Sequence, residues 1–335
     1  MTNIILLLIS LIIILISAEI FVNGIEWLGK KLKLGEGAVG SILAAVGTAL
    51  PESLIPVIAI VFGSEEAGHE IGIGAILGAP FMLSTLAMFI SAVAVIAYRQ
   101  RRPDFPIMRV NVAVMSRDLL FFLIVYSVAI LTAFLGAHEY KVVVAIFLVF
   151  AYILYVLLTL KRGGDEGGEE DELKPLLFAK ASKDPVLMII LLQIGVALGG
   201  IILGAHTFVE EVTVLAFRYG IPAFILSLII APIASELPEK FNSVIWIGKG
   251  KDTLALGNIT GAMVFQSSII PAIGILLTDW VLTPGAMLSA ALAITSGLII
   301  YIQIKARHHL TPYILASGGL FYIVFIVFVL AGVIR

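Results

Sequence analysis

Two glutamates of this sequence, Glu52 and Glu239, lie inside long apolar stretches, and each directly follows a proline, Pro51 or Pro238. A carboxylate in the middle of a membrane-length apolar stretch is costly, and such acids commonly face an ion pathway. Proline has no backbone N–H and obstructs the carbonyl group one helical turn earlier. Each Pro-Glu pair therefore predicts a broken helix with carbonyl oxygens exposed beside a carboxylate. The alternative is a pair of structural acids, protonated or salt-bridged.

Other oxygen-bearing side chains accompany the two glutamates. Thr48 and Ser235 precede Glu52 and Glu239 by the same four residues, and Asn258 and Gln266 lie in the apolar stretch that follows. A hard cation such as Ca²⁺ takes roughly six to eight oxygen ligands from carboxylates, amides and backbone carbonyls. The set predicts a site for a transported metal ion, with two chemically unequal halves, because the first half has no counterpart of Asn258 or Gln266.

Glu236 and Lys240 place opposite charges beside Glu239. Their spacing of four residues puts them on one face of a helix. Two interpretations are open. Lys240 pairs with Glu236 and leaves Glu239 for the metal ion, or Glu236 is a further ligand and Lys240 replaces a monovalent cation during part of a cycle. The spacing favours the first interpretation.

The composition is that of a membrane protein. Of 335 residues, 60% are hydrophobic and 13% are charged, and the mean hydropathy is +1.11. Soluble domains are closer to half apolar and a quarter charged. The net charge of −2 gives no indication of nucleic-acid binding, and without cysteine there is neither a disulfide nor a thiolate metal site. Residues 1–18 lack a basic start, so we expect a first transmembrane helix rather than a cleaved signal peptide.

The predicted fold is an all-α polytopic membrane protein with about ten transmembrane helices. A window of about 20 residues sets the scale for a membrane-crossing helix. The predicted spans are 4–27, 38–62, 71–98, 119–136, 142–160, 185–206, 222–248, 254–278, 284–304 and 312–334.

An internal repeat organises these spans. Leu50-Pro51-Glu52 corresponds to Leu237-Pro238-Glu239, and the glycine-rich stretch at 74–79 corresponds to 257–262. Five spans per copy is an odd number, so the copies must have opposite topologies, a known plan for transporters. The division is a first repeat at 1–160, an acidic, glycine-rich linker at 161–182 and a second repeat at 183–335. The polar run at 161–174 in this linker is expected to be a mobile hinge; a regulatory cation-binding role is the alternative. The glycines, one turn apart, predict close helix packing.

The distribution of basic residues predicts the orientation. Lys and Arg concentrate in the loops after odd-numbered spans, including the linker, while the other side has only Lys141, Arg218 and Arg335. Basic loops face the cytoplasm. The linker is therefore predicted to be cytoplasmic and both termini outside, in a plasma membrane.

Together these motifs resemble the cation/calcium exchanger superfamily, best known from sodium/calcium exchangers. Its signatures have the form G-T-S-x-P-E followed by G-N-x-x-G-S-N; here 47–52 read GTALPE and 234–239 read ASELPE. The resemblance implies calcium ligation by Glu52 and Glu239 with backbone oxygens of Thr48 and Ser235. Its sodium positions fall on Ala49, Ala79, Leu83, Glu236, Ala262 and Gln266, of which only Glu236 and Gln266 carry side-chain oxygen.

The function expected from these observations is secondary-active cation antiport. Calcium would be exchanged for sodium or protons by alternating access, with the first and sixth helices moving as a gate. The alternatives are an exchanger for a different cation and a cation channel; an intramembrane hydrolase lacks a nucleophile and base. We expect no enzymatic activity and no cofactor. The partners are membrane lipid and the transported metal ions, and the oligomeric state is open, with a monomer compatible.

Overall fold

The structure is a computed structural model that describes residues 2–32, 44–162, 174–182 and 184–334. The side chains of residues 44–51, 65–66, 160–162, 234 and 237–239 are outside this description. Within the described residues the regular secondary structure is helical, apart from one isolated β-bridge. Its helices are α1 Thr2–Lys31, α2 Ala44–Phe62, α3 Glu65–Met82, α4 Met88–Ala97, α5 Val112–Leu131, α6 His138–Arg162, α7 Leu187–Tyr219, α8 Ala223–Ser235, α9 Leu237–Gly248, α10 Asp252–Leu277, α11 Pro284–Arg307 and α12 Pro312–Leu330.

The helices account for ten membrane passes. Eight helical stretches of the described chain are long and apolar enough to cross a membrane. One of them joins α3 and α4 through a π-helical turn, Leu83–Ala87. The remaining two passes are α2 and the pair α8 and α9, which a single turn residue, Glu236, separates. The predicted class of fold is confirmed, because each predicted span overlaps one of these passes.

Contacts between loops sort the ends of the helices onto two faces. One face is joined by contacts of Lys31 with Asp184, Arg102 with Asp252, and Met108 with Leu310. The opposite face is joined by contacts of Asn3 with Glu211, Glu70 with Phe224, and Lys141 with Asp279. The first helix of the first half, α1, starts at the second face, whereas its counterpart α7 starts at the first face. The two halves therefore run in opposite directions through the membrane, as inverted repeats require.

The helices α1 and α7 form a pair beside the main helical body. They contact each other along their lengths and share a small apolar cluster, Phe21 with Ala197 and Ile201. A larger second cluster, which includes Ile14 and Phe208, joins both helices to α2, α3 and α8. The largest apolar core instead joins α3, α4, α5, α10, α11 and α12. Outward-facing side chains are apolar too, and Phe217 on α7 is 93% exposed. Such a surface is suited to lipid, where apolar exposure carries no penalty.

Glycines permit close contact between α3 and α8. A Cβ atom on Gly74 would lie 2.5 Å from the carbonyl oxygen of Phe224, and one on Gly78 would collide with the carbonyl oxygen of Leu228. The close packing predicted from the glycine spacing is therefore present in the first repeat. It fixes the position of α8 just before the helix break.

The same prediction is wrong for the second repeat. A Cβ atom on Gly257 would meet no described atom within 4 Å, and one on Gly261 would meet only the Tyr155 hydroxyl, at 3.7 Å. The reason is that α10 turns these glycines toward a cavity and toward α6 rather than into the backbone of a neighbouring helix. Spacing alone does not distinguish the two cases.

The end of the predicted linker packs against the α1–α7 pair. Residues 163–173 and 183 lie outside the described residues, but Leu176 is fully buried beside Trp27 and Ile190. The Trp27 indole donates to the Lys174 carbonyl at 2.9 Å, and the Phe178 amide donates to Gln193 Oε1 at 2.9 Å. Residues 174–182, the end of the predicted linker, are therefore anchored to both helices.

Candidate cation-binding site

The helix break predicted at Pro51 is not found. The helix α2 is continuous from Ala44 to Phe62, across Pro51 and Pro56. A proline removes one backbone hydrogen bond, and membrane helices tolerate this where neighbours and small adjustments satisfy the released groups. Carbonyl oxygens exposed by a broken first-repeat helix are therefore not part of this site.

The second repeat does break where the sequence predicts. The helix α8 ends at Ser235, Glu236 is a turn residue, and α9 begins at Leu237 with Pro238 at its start. Pro232 lies inside the last turn of α8. Two prolines six residues apart remove two backbone donors from this stretch. The helix α2 carries a similar pair, Pro51 and Pro56, without a break, so proline content alone does not account for the interruption.

Of the two central glutamates, the structure describes the side chain of Glu52. It is 7% exposed and lies on α2, which contacts both α8 and α10. These helices carry Ser235, Asn258 and Gln266. The side chains of Glu239 and Thr48 lie outside the described ones, so the proposed Glu52–Glu239 pair stays a prediction.

Glu236, Lys240 and Gln266 are buried and form one polar cluster at the helix break with Asn258, which is exposed. Lys240 Nζ lies 3.5 Å from Glu236 Oε2 and donates to Asn258 Oδ1 at 3.1 Å. Gln266 Nε2 donates to the other carboxylate oxygen, Glu236 Oε1, at 3.0 Å. Glu236 and Lys240 are each 2% exposed. The ion pair is the contact expected from the four-residue spacing, and it adds two α10 side chains that the spacing could not reveal.

Two further side-chain oxygen atoms near the helix break, those of Ser235 and Gln266, differ in their hydrogen bonding. Ser235 Oγ donates to the carbonyl of Ala231 at 3.0 Å, so the hydroxyl is used within its own helix. Gln266 Oε1 is buried and has no hydrogen-bond partner among the described residues. A buried amide oxygen without a donor is costly, and it is well suited to a cation.

A cavity leads to this cluster from one face of the protein. It has a volume of about 510 Å³ and is lined by Gly257 and Asn258 at its inner end and by Lys251 and Asp252 at its mouth. This is the face that carries the basic loops. At the mouth, Arg102 binds Asp252 through both guanidinium Nη atoms, at 2.8 and 2.7 Å. The α4–α5 loop is thereby fixed to the start of α10.

Asp118 is a buried acid that the sequence analysis did not select. It is 2% exposed, accepts from Thr260 Oγ1 at 2.9 Å and lies 3.0 Å from Arg117 Nη2. Arg117 was counted with the basic loops, but it lies within α5 and its side chain is 12% exposed. In the sequence, the adjacent Arg-Asp pair at the start of an apolar stretch could have indicated a buried ion pair here. The pair braces α10 two residues beyond Asn258.

The described part of the site is a set of oxygen ligands and one ammonium group. Among the described side chains, which do not include that of Glu239, no three His, Cys, Asp or Glu residues converge. The arrangement can therefore hold a cation by charge and by neutral oxygens. The hydrogen bonds of the described site do not join a serine to a histidine that could act as its base.

Comparison with known proteins agrees with this architecture. A family model described as sodium/calcium exchanger protein matches residues 2–161 and 189–331. The inner membrane protein YrbG of Escherichia coli (strain K12) is 26% identical over 281 residues, covering 83% of this chain and 81% of YrbG. The matched ranges include both Pro-Glu motifs and leave out most of the linker.

Two solved structures share the fold. The H⁺/Ca²⁺ exchanger CAX superposes with a TM-score of 0.74 at 16% identity, covering 98% of this chain and 82% of the exchanger. The sodium–calcium exchanger NCX_Mj superposes with a TM-score of 0.58 at 20% identity, covering 97% and 98%. At such identities the likeness establishes the architecture, and the ions must be argued from the site.

Proposed function

The chain belongs to the sodium/calcium exchanger protein family, and on that premise we propose that it is a secondary-active cation antiporter. It exchanges a divalent cation, calcium, for sodium or protons by alternating access. The observation that carries this proposal is the burial of two carboxylates, Glu52 and Glu236, in membrane passes of opposite repeats. Buried intramembrane acids on helices that contact each other mark an ion pathway.

We propose a divalent site between Glu52 and Glu239. The Thr48 hydroxyl and the backbone oxygen of Ser235, at the end of α8, complete it from the same passes, and Gln266 Oε1 offers a further neutral ligand. Glu236 and Asn258 are engaged by Lys240. Two carboxylates match the charge of a divalent cation, and hard oxygen ligands favour calcium over soft metals. The ions are substrates; the chemistry requires no cofactor.

The α1–α7 pair is proposed to be the moving gate. The two helices contact each other along their lengths and contribute no buried residue to the largest core; they pack on the body through a second cluster shared with α2, α3 and α8. A unit packed mainly on itself can slide or rotate against the remaining body with limited loss of contacts, whereas helices that share one core move together. The cavity that reaches Asn258 supplies the access route on the face of the basic loops.

The excess of basic residues supports a cytoplasmic position for that face. We propose that residues 174–182 lie in the cytoplasm, that both termini lie outside, and that the membrane is the plasma membrane. The sorting of loops onto two faces agrees with the sequence-based assignment, loop by loop.

The experiment that tests the function is calcium uptake into proteoliposomes that contain the purified protein. Uptake should be strongly accelerated by an outward sodium gradient or by an outward proton gradient, and whichever gradient works identifies the counter-ion. Flux that saturates and requires a counter-ion identifies an antiporter. Calcium flux that runs equally well without any ion on the opposite side would instead identify a channel.

A further inference from the structure

We propose that the Lys240 ammonium is a resident cation that fills a monovalent-cation subsite formed by Glu236, Asn258 and Gln266. The proposal rests on the proposed antiport function and deepens it, because it predicts how many counter-ions the protein carries. The subsite is the polar cluster at the break between α8 and α9, and the ammonium remains in it throughout transport.

The contacts of Lys240 are those of a bound cation. Its Nζ lies near a carboxylate oxygen of Glu236, at 3.5 Å, and an amide oxygen of Asn258, at 3.1 Å. Carboxylate and amide oxygens are the ligands that hard metal cations also select. Lys240 is 2% exposed. The contact with Glu236 is therefore not a chance contact between surface side chains.

Gln266 shows that the subsite has more oxygen than the ammonium uses. Its Nε2 donates to Glu236 Oε1 at 3.0 Å, while its Oε1 is buried without a hydrogen-bond partner among the described residues. The second carboxylate oxygen of Glu236 faces Lys240. A free metal ion in place of the ammonium would thus find a carboxylate and two amide side chains within one cluster.

Charge makes the lysine decisive. Glu236 and Lys240 neutralise each other in a nearly water-free position, and breaking such a pair by removing one partner leaves a buried charge that is strongly unfavourable. If the ammonium is removed, the buried Glu236 carboxylate must therefore be neutralised by a proton or by a cation, and we expect the amide oxygens beside it to favour a cation. The cavity lined by Asn258 gives that cation a path from the face of the basic loops.

The consequence is a reduced number of counter-ions. In the wild-type protein the subsite is closed to free ions, because its cation is covalently attached. A variant without the ammonium should bind an additional monovalent cation. Its transport cycle should move an additional positive charge against each divalent cation.

The test compares Lys240→Met with the wild type in two measurements: equilibrium binding of radioactive sodium to the detergent-solubilised protein, and the reversal potential of calcium transport in proteoliposomes. We expect the variant to bind one more sodium ion per protein than the wild type. We also expect its reversal potential to differ from that of the wild type by the amount that corresponds to one additional positive charge moved per transport cycle. Lithium and potassium, titrated in competition with sodium, identify the preferred ion.

Three further variants serve as controls. Lys249→Met removes an exposed lysine and should bind sodium as the wild type does. The double variant Lys240→Met, Glu236→Gln removes both charges and should lose the additional ion. Lys240→Gln, which retains a polar side chain, should gain the ion as Lys240→Met does, and it replaces that variant if the methionine protein does not fold.

Sodium binding by both Lys240 variants that equals the wild-type value, with an unchanged reversal potential, would overturn the proposal. Wild-type calcium exchange in the same vesicles separates the two hypotheses. If the wild type exchanges calcium and the variants gain no ion, only the resident-cation proposal fails. If the wild type shows no countertransport, the antiport function fails, while sodium binding in detergent still decides the subsite.

Discussion

Burial distinguishes the candidate ligands from the solvated acids of the chain. Glu52 and Glu236 are 7% and 2% exposed, whereas the side chain of Glu210 on α7 is 63% exposed beside His206. A solvated acid binds a cation weakly, because water screens the attraction between the two charges. A buried one must be neutralised by a proton, a protein cation or a metal ion.

At this scale the first prediction concerns Glu52. Glu52→Gln keeps the shape and removes the charge, so calcium transport should fall by at least about 100-fold, since a lost ion-ligating carboxylate costs several kcal/mol of binding. The measurement is gradient-driven calcium uptake in proteoliposomes. Glu210→Gln is the matched control and should transport normally. Uptake by Glu52→Gln at the level of this control would remove Glu52 from the site.

The second residue-scale prediction contrasts two Arg–Asp pairs. Asp118 is 2% exposed and bonded to Arg117 and Thr260, while the Asp104–Arg109 pair is more than half exposed on both sides. Asp118→Ala should destabilise the protein by about 3–5 kcal/mol, because it leaves a buried guanidinium unpaired. Asp104→Ala should cost about 0–1 kcal/mol. Thermal unfolding in detergent measures both. Equal losses would show that Asp118 does not brace α10.

Among the helices, packing between the repeats decides where the site residues lie. The first-repeat helix α3 touches α8 through the surface of Gly74 and Gly78, and α8 leads directly into Glu236. The second-repeat helix α10 instead packs on α5 and α6 and turns Gly257 toward the cavity. Similar glycine spacings therefore serve a helix contact in one repeat and an open lining in the other.

Two alanine substitutions test this difference. Gly78→Ala should destabilise the protein, because the added Cβ collides with the Leu228 carbonyl and with Pro232, and overpacking typically costs about 1–3 kcal/mol. Gly257→Ala should be neutral or stabilising by up to about 1 kcal/mol, because alanine favours helix and meets no described atom. Thermal unfolding of both variants decides. A stable Gly78→Ala protein would contradict the close α3–α8 contact.

For the whole molecule, the open question is which face meets the cytoplasm. The contacts between loops establish two faces, and the basic residues assign one of them to the cytoplasm. Residues 174–182, anchored to α1 and α7 by Trp27 and Gln193, lie on the face assigned to the cytoplasm. Anything that moves the proposed gate helices must move this segment as well.

Single cysteines test the orientation, because the natural chain has none. Lys180→Cys lies on an exposed position of the anchored segment and should react with an impermeant thiol reagent only from the cytoplasmic side. Gly136→Cys lies in the opposite α5–α6 loop, where a Cβ meets nothing within 4 Å, and should react only from outside. Labelling of intact cells and of inverted vesicles measures both. The reverse pattern would invert the proposed topology.

Hydropathy and proline are local properties, and they explain what the sequence alone determined. It predicted the ten passes, because about 20 apolar residues crossing lipid leave little alternative to a helix. It also predicted the inverted repeat, the break beside Pro238 and the Glu236–Lys240 contact, since a four-residue spacing fixes neighbours on one helix.

Only the tertiary structure decided features that depend on helices distant in the chain. Pro51 leaves α2 unbroken, Gly257 faces a cavity, and Asp118 binds Thr260, which lies 142 residues away. Likewise, Asn258, predicted as a metal ligand, accepts from the Lys240 ammonium. The sequence specifies which oxygen atoms are available. Packing between α8, α9 and α10 determines which of these oxygen atoms contact the Lys240 ammonium, because such contacts depend on which side chains are brought together from different helices.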